Sequence, residues 1–161
     1  MADVLLSLGS NIGDSADHVA DAVRRLKADG DLAVLSVSRL YRTKPVGPVE
    51  QNDFTNAAVR VKTDLSPEDL MKKCLGLEAA MGRDRVSAVR WGPRVIDIDI
   101  ILYDNLTIKN AEVEIPHPRF LERAFVLIPI AEIAPERTIG GRNLRELASS
   151  IDSTGVEPFS P

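Results

Sequence analysis

Apolar and polar positions follow two different periods along this chain, and the points where the period changes mark out its elements. Val4 to Leu8 is a nearly unbroken apolar run, as in a buried strand. Gly9, Ser10, Asn11, Ile12, Gly13 and Asp14 after it predict a turn rich in residues that tolerate unusual backbone angles. Val19, Ala22, Val23 and Leu26 then recur at helical spacing, with Asp14 or Ser15 able to cap the start and Gly30 to end it. The β-branched stretch Leu32 to Tyr41 predicts a long second strand, and Phe54 to Val61 a third. Between them, Arg42 to Asn52 contains Pro45, Gly47 and Pro48, a stiffened loop of the kind that serves as a binding wall or a lid. Ser66, Pro67 and Asp69 read as a cap, a first-turn proline and an acid that reaches back to the cap, opening a helix that runs to Met81. Its apolar stripe is Leu70, Met71, Cys74, Leu77 and Met81, and Gly82 stops it.

The sharpest alternation follows. Ile96, Ile98 and Ile100 interleave with Asp97 and Asp99, the period of a half-buried strand, and Ile101 and Leu102 continue into burial on both sides. Both aspartates therefore share one face, about 6.6 Å apart, which is two strand rises. At an effective dielectric near 20, two bare carboxylates at that separation repel by about 2.5 kcal/mol, against ~0.6 kcal/mol in bulk water. A solvated face tolerates such a pair, whereas a cleft demands something cationic beside it. Aspartate is also a poor strand former, so two of them in an isoleucine strand work against local preference. Just upstream, Arg90, Trp91 and Arg94 surround a Gly92-Pro93 turn, a cationic corner leading into an anionic face. Carboxylates holding magnesium beside arginines holding phosphate would produce this juxtaposition, and so would an internal salt-bridge network.

Beyond the strand, Asp104 and Asn105 turn the chain and Leu106 to Ile108 predict a short extra strand. Arg123 and Phe125 open an apolar segment that runs as a helix through Ile133 despite Pro129, until Pro135 stops it. Gly140 and Gly141 mark a turn and Leu144 to Ala148 a short helix, and the last ten or so residues are expected to be loose.

Length and composition narrow the classes. A chain of 161 residues, 44% hydrophobic and 27% charged, suits one soluble domain spanning residues 1–161. Its net charge of −4 argues against general binding to nucleic acid or to a membrane surface. Cys74 is the only cysteine, so no internal disulfide forms and a cytoplasmic setting is expected. The opening Met1, Ala2, Asp3 carries no signal-peptide pattern, and no apolar run approaches the ~18 residues of a membrane span.

Several residues invite both a chemical and a plain reading. The GSNIG stretch is either a phosphate cradle or an ordinary strand-to-helix turn, and it lacks the lysine and spacing of a P-loop. Asn56 is either a reader of a heterocycle's donor and acceptor edge or an edge residue of its strand. Cys74 falls on the apolar stripe of its helix and reads as core. Arg83, Arg85, Arg90 and Arg94 gather four guanidiniums in a dozen positions of an acidic protein, more than structural ion pairs require, which suggests a polyanion. His117 is clamped between Pro116 and Pro118, which suits contact with phosphate or base as well as a simple turn.

The order strand, helix, strand, strand, helix, strand through Tyr103 predicts an α+β fold, a ferredoxin-like βαββαβ core with C-terminal additions. It would be an antiparallel sheet with helices packed on one face. The run Arg90 to Ile101 resembles the signature of the hydroxymethyl-dihydropterin pyrophosphokinase family (2-amino-4-hydroxy-6-hydroxymethyldihydropteridine diphosphokinase). The resemblance extends to Gly9–Asn11, Tyr41–Gly47, Asp53–Ala57, Glu78, Gly82–Arg85, the PHP segment with Arg123 and Phe125, and Glu132–Pro135. It implies an ATP-dependent diphosphotransferase of folate biosynthesis that passes pyrophosphate to the hydroxymethyl group of 6-hydroxymethyl-7,8-dihydropterin and releases AMP. It implies that Asp97 and Asp99 bind two magnesium ions and that Glu78, Arg85, Arg90, Trp91, Arg94, Ile100, His117 and Arg123 contact ATP. It implies pterin contacts from Thr43, Val46, Phe54, Asn56 and Phe125. Arg83, Trp91 and Arg94 would lie on loops closing over the substrates, with Arg83, Arg94, Asp97 and Asp99 catalytic. ATP and the pterin are the expected partners, without nucleic acid or membrane, and a monomer is expected.

Two rival readings take the same residues differently. A single-stranded nucleic-acid surface would use the arginines and Trp91, but it calls for exposed aromatics on adjacent strands, and aromatics make up only 4% of this chain. A nucleotide sensor without turnover would keep the fold and lose the chemistry, which the intact Arg90, Arg94, Asp97 and Asp99 oppose.

Overall fold

The computed structural model of the chain describes residues 1–44, 50–82 and 95–161. Strand β1 (Ala2–Ser10) leads into helix α1 (Ser15–Ala28), whose start is capped by the Asp14 carboxylate accepting from the Asp17 N–H. The predicted second strand is divided in two, β2 (Leu32–Val37) and β3 (Leu40–Thr43), both paired with β4 (Phe54–Thr63). Ser38 causes the break: its hydroxyl donates to the Arg39 carbonyl and accepts from the Ala58 N–H, so a side chain stands where backbone pairing would continue. Helix α2 (Pro67–Ala80) begins at the Ser66 cap with Pro67 in its first turn, and β5 (Asp97–Tyr103) carries the alternating isoleucines and aspartates.

The main sheet is antiparallel, in the order β10-β3-β4-β1-β5 with β2 also on β4. With β2 and β3 counted as one broken strand, that is the order of the expected βαββαβ core. β1 is central and buried on both faces. Val4, Leu6 and Leu8 pack with α1, α2 and the isoleucines of β5, while Leu5 joins Ala58, Ile101 and Leu102 on the other side.

The core helices α1 and α2 share one face as expected, and the C-terminal additions cover the second apolar patch on the other. Helix α3 (Ala124–Ile133) buries Val126, Leu127, Pro129, Ile130 and Ala131, and α4 (Leu144–Ser150) buries Leu144; both belong to the cluster around Leu5. A fully buried Leu or Ile side chain contributes about 1.5–3 kcal/mol, and an exposed apolar half-face would forfeit that, so the last third of the chain returns to cover it. A register shift between Leu5 and Leu6 of β1 lets both Ile101 and Leu102 enter this cluster.

Small pairs complete the chain. β6 (Ile108–Lys109) pairs with β7 (Glu114–Ile115), slightly beyond the predicted 106–108, because the turn after β5 extends to a Leu106 N–H bonded to the Tyr103 carbonyl. β8 (Thr138–Ile139) and β9 (Arg142–Asn143) form a hairpin around Gly140 and Gly141, both at positive φ as a two-residue turn requires. The tail expected to be loose instead forms β10 (Val156–Phe159) along the outer edge of β3. Unpaired backbone on an edge strand is a template for another strand, and the Arg42 guanidinium lies 4.5 Å over the Phe159 ring to fasten it.

Polar groups tie the C-terminal third to the sheet. Arg60 on β4 donates to both Asp3 carboxylate oxygens and to Glu136, and Arg137 donates to the Asp3 and Asp104 carbonyls. The hydrogen bond from Arg60 holds the Asp3 carboxyl below its ordinary value. A carboxyl depressed in the folded state adds stability that is fully present above its unfolded pKa of about 3.9 and lost as pH falls through the folded value. Asp3→Asn is therefore expected to cost about 2 kcal/mol at neutral pH. In urea titrations from pH 7 down to pH 3 the difference from wild type should shrink below pH 4; a constant difference would refute this role.

Candidate active site

The register of the sheet decides which residues meet. Asp97 on β5 stands opposite Gly9 on β1, Gly9 opposite Asn56 on β4, and Asn56 opposite Tyr41 on β3. Two residues along, Asp99 pairs with Ser7 and Ser7 with Ala58; in the other direction Phe54 pairs with Thr43 and Thr43 with Val156. Cross-strand partners share a face, so these side chains lie on the face that α3 covers further along. Beyond the N-terminal end of α3, the face is open and forms the floor of a cleft of about 1020 Å³.

Arg123, Phe125 and Val126 wall the cleft at the start of α3, with Arg119 and Glu122 beside them, and the Arg123 guanidinium lies 5.9 Å over the Phe125 ring. Arg42, Lys44 and Asp53 border it on the β3 side, and Thr154 to Glu157 close it at the sheet's edge. A Cβ at Gly9 in the floor would stand 3.0 Å from the Asn56 amide nitrogen, a contact tight enough that the amide would have to shift. Thr43 Oγ1 and Asn56 Oδ1 are buried and have no hydrogen-bond partner among the described residues. A buried polar atom without a partner costs about 1–3 kcal/mol, so this end of the cleft is prepared for a ligand with polar edges. Phe54 and Phe125 supply flat apolar surface nearby.

A second cavity of about 250 Å³ shares Asp99 with the first and is bordered by Met71, Ile100, Val113, Glu114 and His117. His117 Nδ1 is buried without a partner among the described residues. The His117 backbone N–H donates to the Ile101 carbonyl at 3.0 Å, so the outer edge of β5 holds the PHP segment in place.

The structure thus gathers Thr43, Phe54, Asn56, Asp97, Asp99, Arg123 and Phe125 around one cleft and puts Ile100 and His117 around its neighbour. The Ile100 side chain itself points into the core, leaving its backbone for any contact at the cavity. Glu78 is buried on α2 and lines neither cavity among the described residues; its Oε2 accepts from the Ile98 N–H at 2.7 Å, which supports β5. Gly9 and Ser10 belong to β1 and not to a phosphate-cradling turn, and Asn11 turns away to donate to Gln51 at 2.6 Å and to the Asn52 carbonyl at 3.2 Å. Burial pushes the Cys74 thiol up to about 12, as suits a core residue. Val46, Arg83, Arg85, Arg90, Trp91 and Arg94 lie outside the described residues. Sequence reasoning missed Ser7, Arg119 and the C-terminal wall. Ser7 was legible only as one polar residue in an apolar run, and the C-terminal residues carry no signal before the sheet is assembled.

This α+β fold, with paired acids at one end of a substrate-sized cleft and unpaired polar atoms at the other, is that of a small-molecule enzyme. The chain belongs to the family described as 7,8-dihydro-6-hydroxymethylpterin-pyrophosphokinase (HPPK), whose family model matches residues 5–135. It is 46% identical over 157 residues to the 2-amino-4-hydroxy-6-hydroxymethyldihydropteridine pyrophosphokinase of Methylorubrum extorquens, covering 98% of each chain. It is 43% identical to the enzyme of the same name from Bacillus subtilis, covering 81% of this chain and 77% of that one. A crystal structure of Plasmodium falciparum HPPK-DHPS shares the fold over 92% of this chain, with a TM-score of 0.67 at 16% identity, and this chain spans 43% of its length. The protein is a pyrophosphokinase, a diphosphotransferase of folate biosynthesis.

Removing the Glu78 carboxylate leaves the Ile98 N–H without its acceptor beside the aspartates. Glu78→Ala is expected to cost about 1–3 kcal/mol in chemical denaturation, with Glu78→Gln retaining much of it. Equal, negligible losses in both variants would contradict the supporting role.

Proposed function

We propose that the chain transfers the pyrophosphoryl group of ATP to the hydroxymethyl group of 6-hydroxymethyl-7,8-dihydropterin, releasing AMP, with two magnesium ions held by Asp97 and Asp99. The observation that carries the reading is the placement of both carboxylates on one face of β5, in the same cross-strand rows as Gly9, Asn56 and Ser7 and open to the large cleft. Hard carboxylate oxygens suit magnesium, which is held by one or two carboxylates together with waters and substrate phosphates. When bound, the ions would neutralise the triphosphate and align it for in-line displacement.

The chain's own groups do the rest. Asn56 and Thr43 offer the heterocycle the hydrogen bonds they lack, and Phe54 and Phe125 offer ring faces. The alcohol oxygen bonds to the β-phosphorus while the bond from that phosphorus to the α,β-bridging oxygen breaks. AMP departs with that oxygen, and the alcohol proton passes to Asp97 or to water. Arg123 and His117, bordering the two cavities, are suited to phosphate oxygens. Arg85, Arg90 and Trp91 complete the nucleotide site, Val46 the pterin site, and Arg83 and Arg94 act after binding. The 161 residues work as one cytoplasmic, monomeric domain; among the described residues no helix is long and apolar enough to cross a membrane.

Asp97→Asn and Asp99→Asn should each lower kcat by about 10³ or more, with the fold retained by circular dichroism. Appearance of AMP only when the pterin alcohol is present separates this reading from a nucleotide sensor. Arg94→Ala is expected to keep affinity for a non-hydrolysable ATP analogue while slowing single-turnover transfer about 10³-fold; weaker affinity with unchanged transfer would reverse that assignment. Gly9→Ala, which crowds the Asn56 amide, should weaken pterin binding about tenfold in calorimetric titrations and leave nucleotide binding intact.

A further inference from the structure

The last strand lies outside the residues that the family model matches, and yet it borders the large cleft. α4 hands the chain to a turn in which the Asp152 carboxylate accepts from the Thr154 N–H at 2.9 Å and from its hydroxyl at 2.6 Å. The Val156 N–H closes the turn on the Ser153 carbonyl at 3.1 Å, with Gly155 at the positive φ its third position needs. β10 then runs along β3 so that Val156 stands opposite Thr43, on the face that forms the cleft. Thr43 Oγ1 is one of the buried atoms left without a partner among the described residues.

From this juxtaposition we infer that β10 is the outer wall of the heterocycle end of the cleft and that Val156 is a specificity-determining residue for the alcohol substrate. The inference rests on reading that end as the pterin site. An aliphatic side chain beside an unpaired hydroxyl favours a planar ring whose polar edge meets the hydroxyl and whose bare edge meets the valine. It excludes a bulky or charged substituent at that edge. β10 and β5 are the two ends of the sheet path, four strand spacings or about 19 Å apart. A change at Val156 therefore acts on the acceptor and leaves the nucleotide untouched.

The test compares wild type, Val156→Ala, Val156→Trp and a chain ended after Asp152. The readouts are steady-state kinetics, calorimetry with a non-hydrolysable ATP analogue and magnesium, and thermal melting. Val156→Trp keeps the backbone pairing and is expected to raise KM for the pterin alcohol about tenfold or more, with kcat within about twofold and nucleotide affinity unchanged. Val156→Ala should accept pterin alcohols bearing a bulkier substituent that wild type rejects. The shortened chain, where it folds, should reproduce the rise in KM; where it does not, Val156→Trp decides. A Val156→Trp enzyme with unchanged KM, or one losing pterin and nucleotide affinity together with melting temperature, overturns the inference while the pterin reading stands. A wild-type chain that takes no pterin overturns that reading and the inference with it.

Discussion

One face of β5 changes chemistry within four residues, and the layout of the protein follows from it. Ile101 and Leu102 are apolar and must be covered, and α3 covers them together with Leu5 and Ala58. Asp97 and Asp99 on the same face resist being covered in that way, because taking carboxylate charge out of water under an apolar helix would cost far more than a neighbouring leucine returns. The helix therefore starts only past the acids, and the uncovered remainder of the sheet becomes the cleft. The residues that open α3, Arg123 and Phe125, stand at its wall for the same reason.

An acidic strand at the edge of a sheet also needs support. Among the described residues β5 pairs along one side, with β1. On its open side the Glu78 carboxylate accepts from the Ile98 N–H, and the Ile101 carbonyl accepts from the His117 N–H. Each contact satisfies a backbone group that would otherwise be an exposed edge. The second contact also carries the His117 ring to a cavity that shares Asp99 with the main cleft. Rigidity of the acids and placement of the histidine thus come from the same hydrogen-bonded edge.

Much of this was legible beforehand for reasons of period and local chemistry. The isoleucine and aspartate alternation predicted which residues of β5 face inward, Ser66 and Pro67 announced α2, and the apolar run after Phe125 announced α3 despite Pro129. What escaped depends on partners distant in sequence. Ser38 breaks a strand only because the Ala58 backbone is there to bond it, and the tail becomes β10 only because β3 presents a free edge. Glu78, read from resemblance as a nucleotide contact, also accepts from the β5 backbone, a support visible only in the fold.

The sequence by itself determined the elements, the two acids on one face and the family, because these are written in spacings of a few residues. Only the tertiary structure decided that helices cover both faces, that Gly9 sits between Asp97 and Asn56, and that the C-terminus closes the cleft. Those outcomes depend on register and edge pairing between segments up to a hundred and more residues apart, and no local pattern encodes which strand will lie beside which.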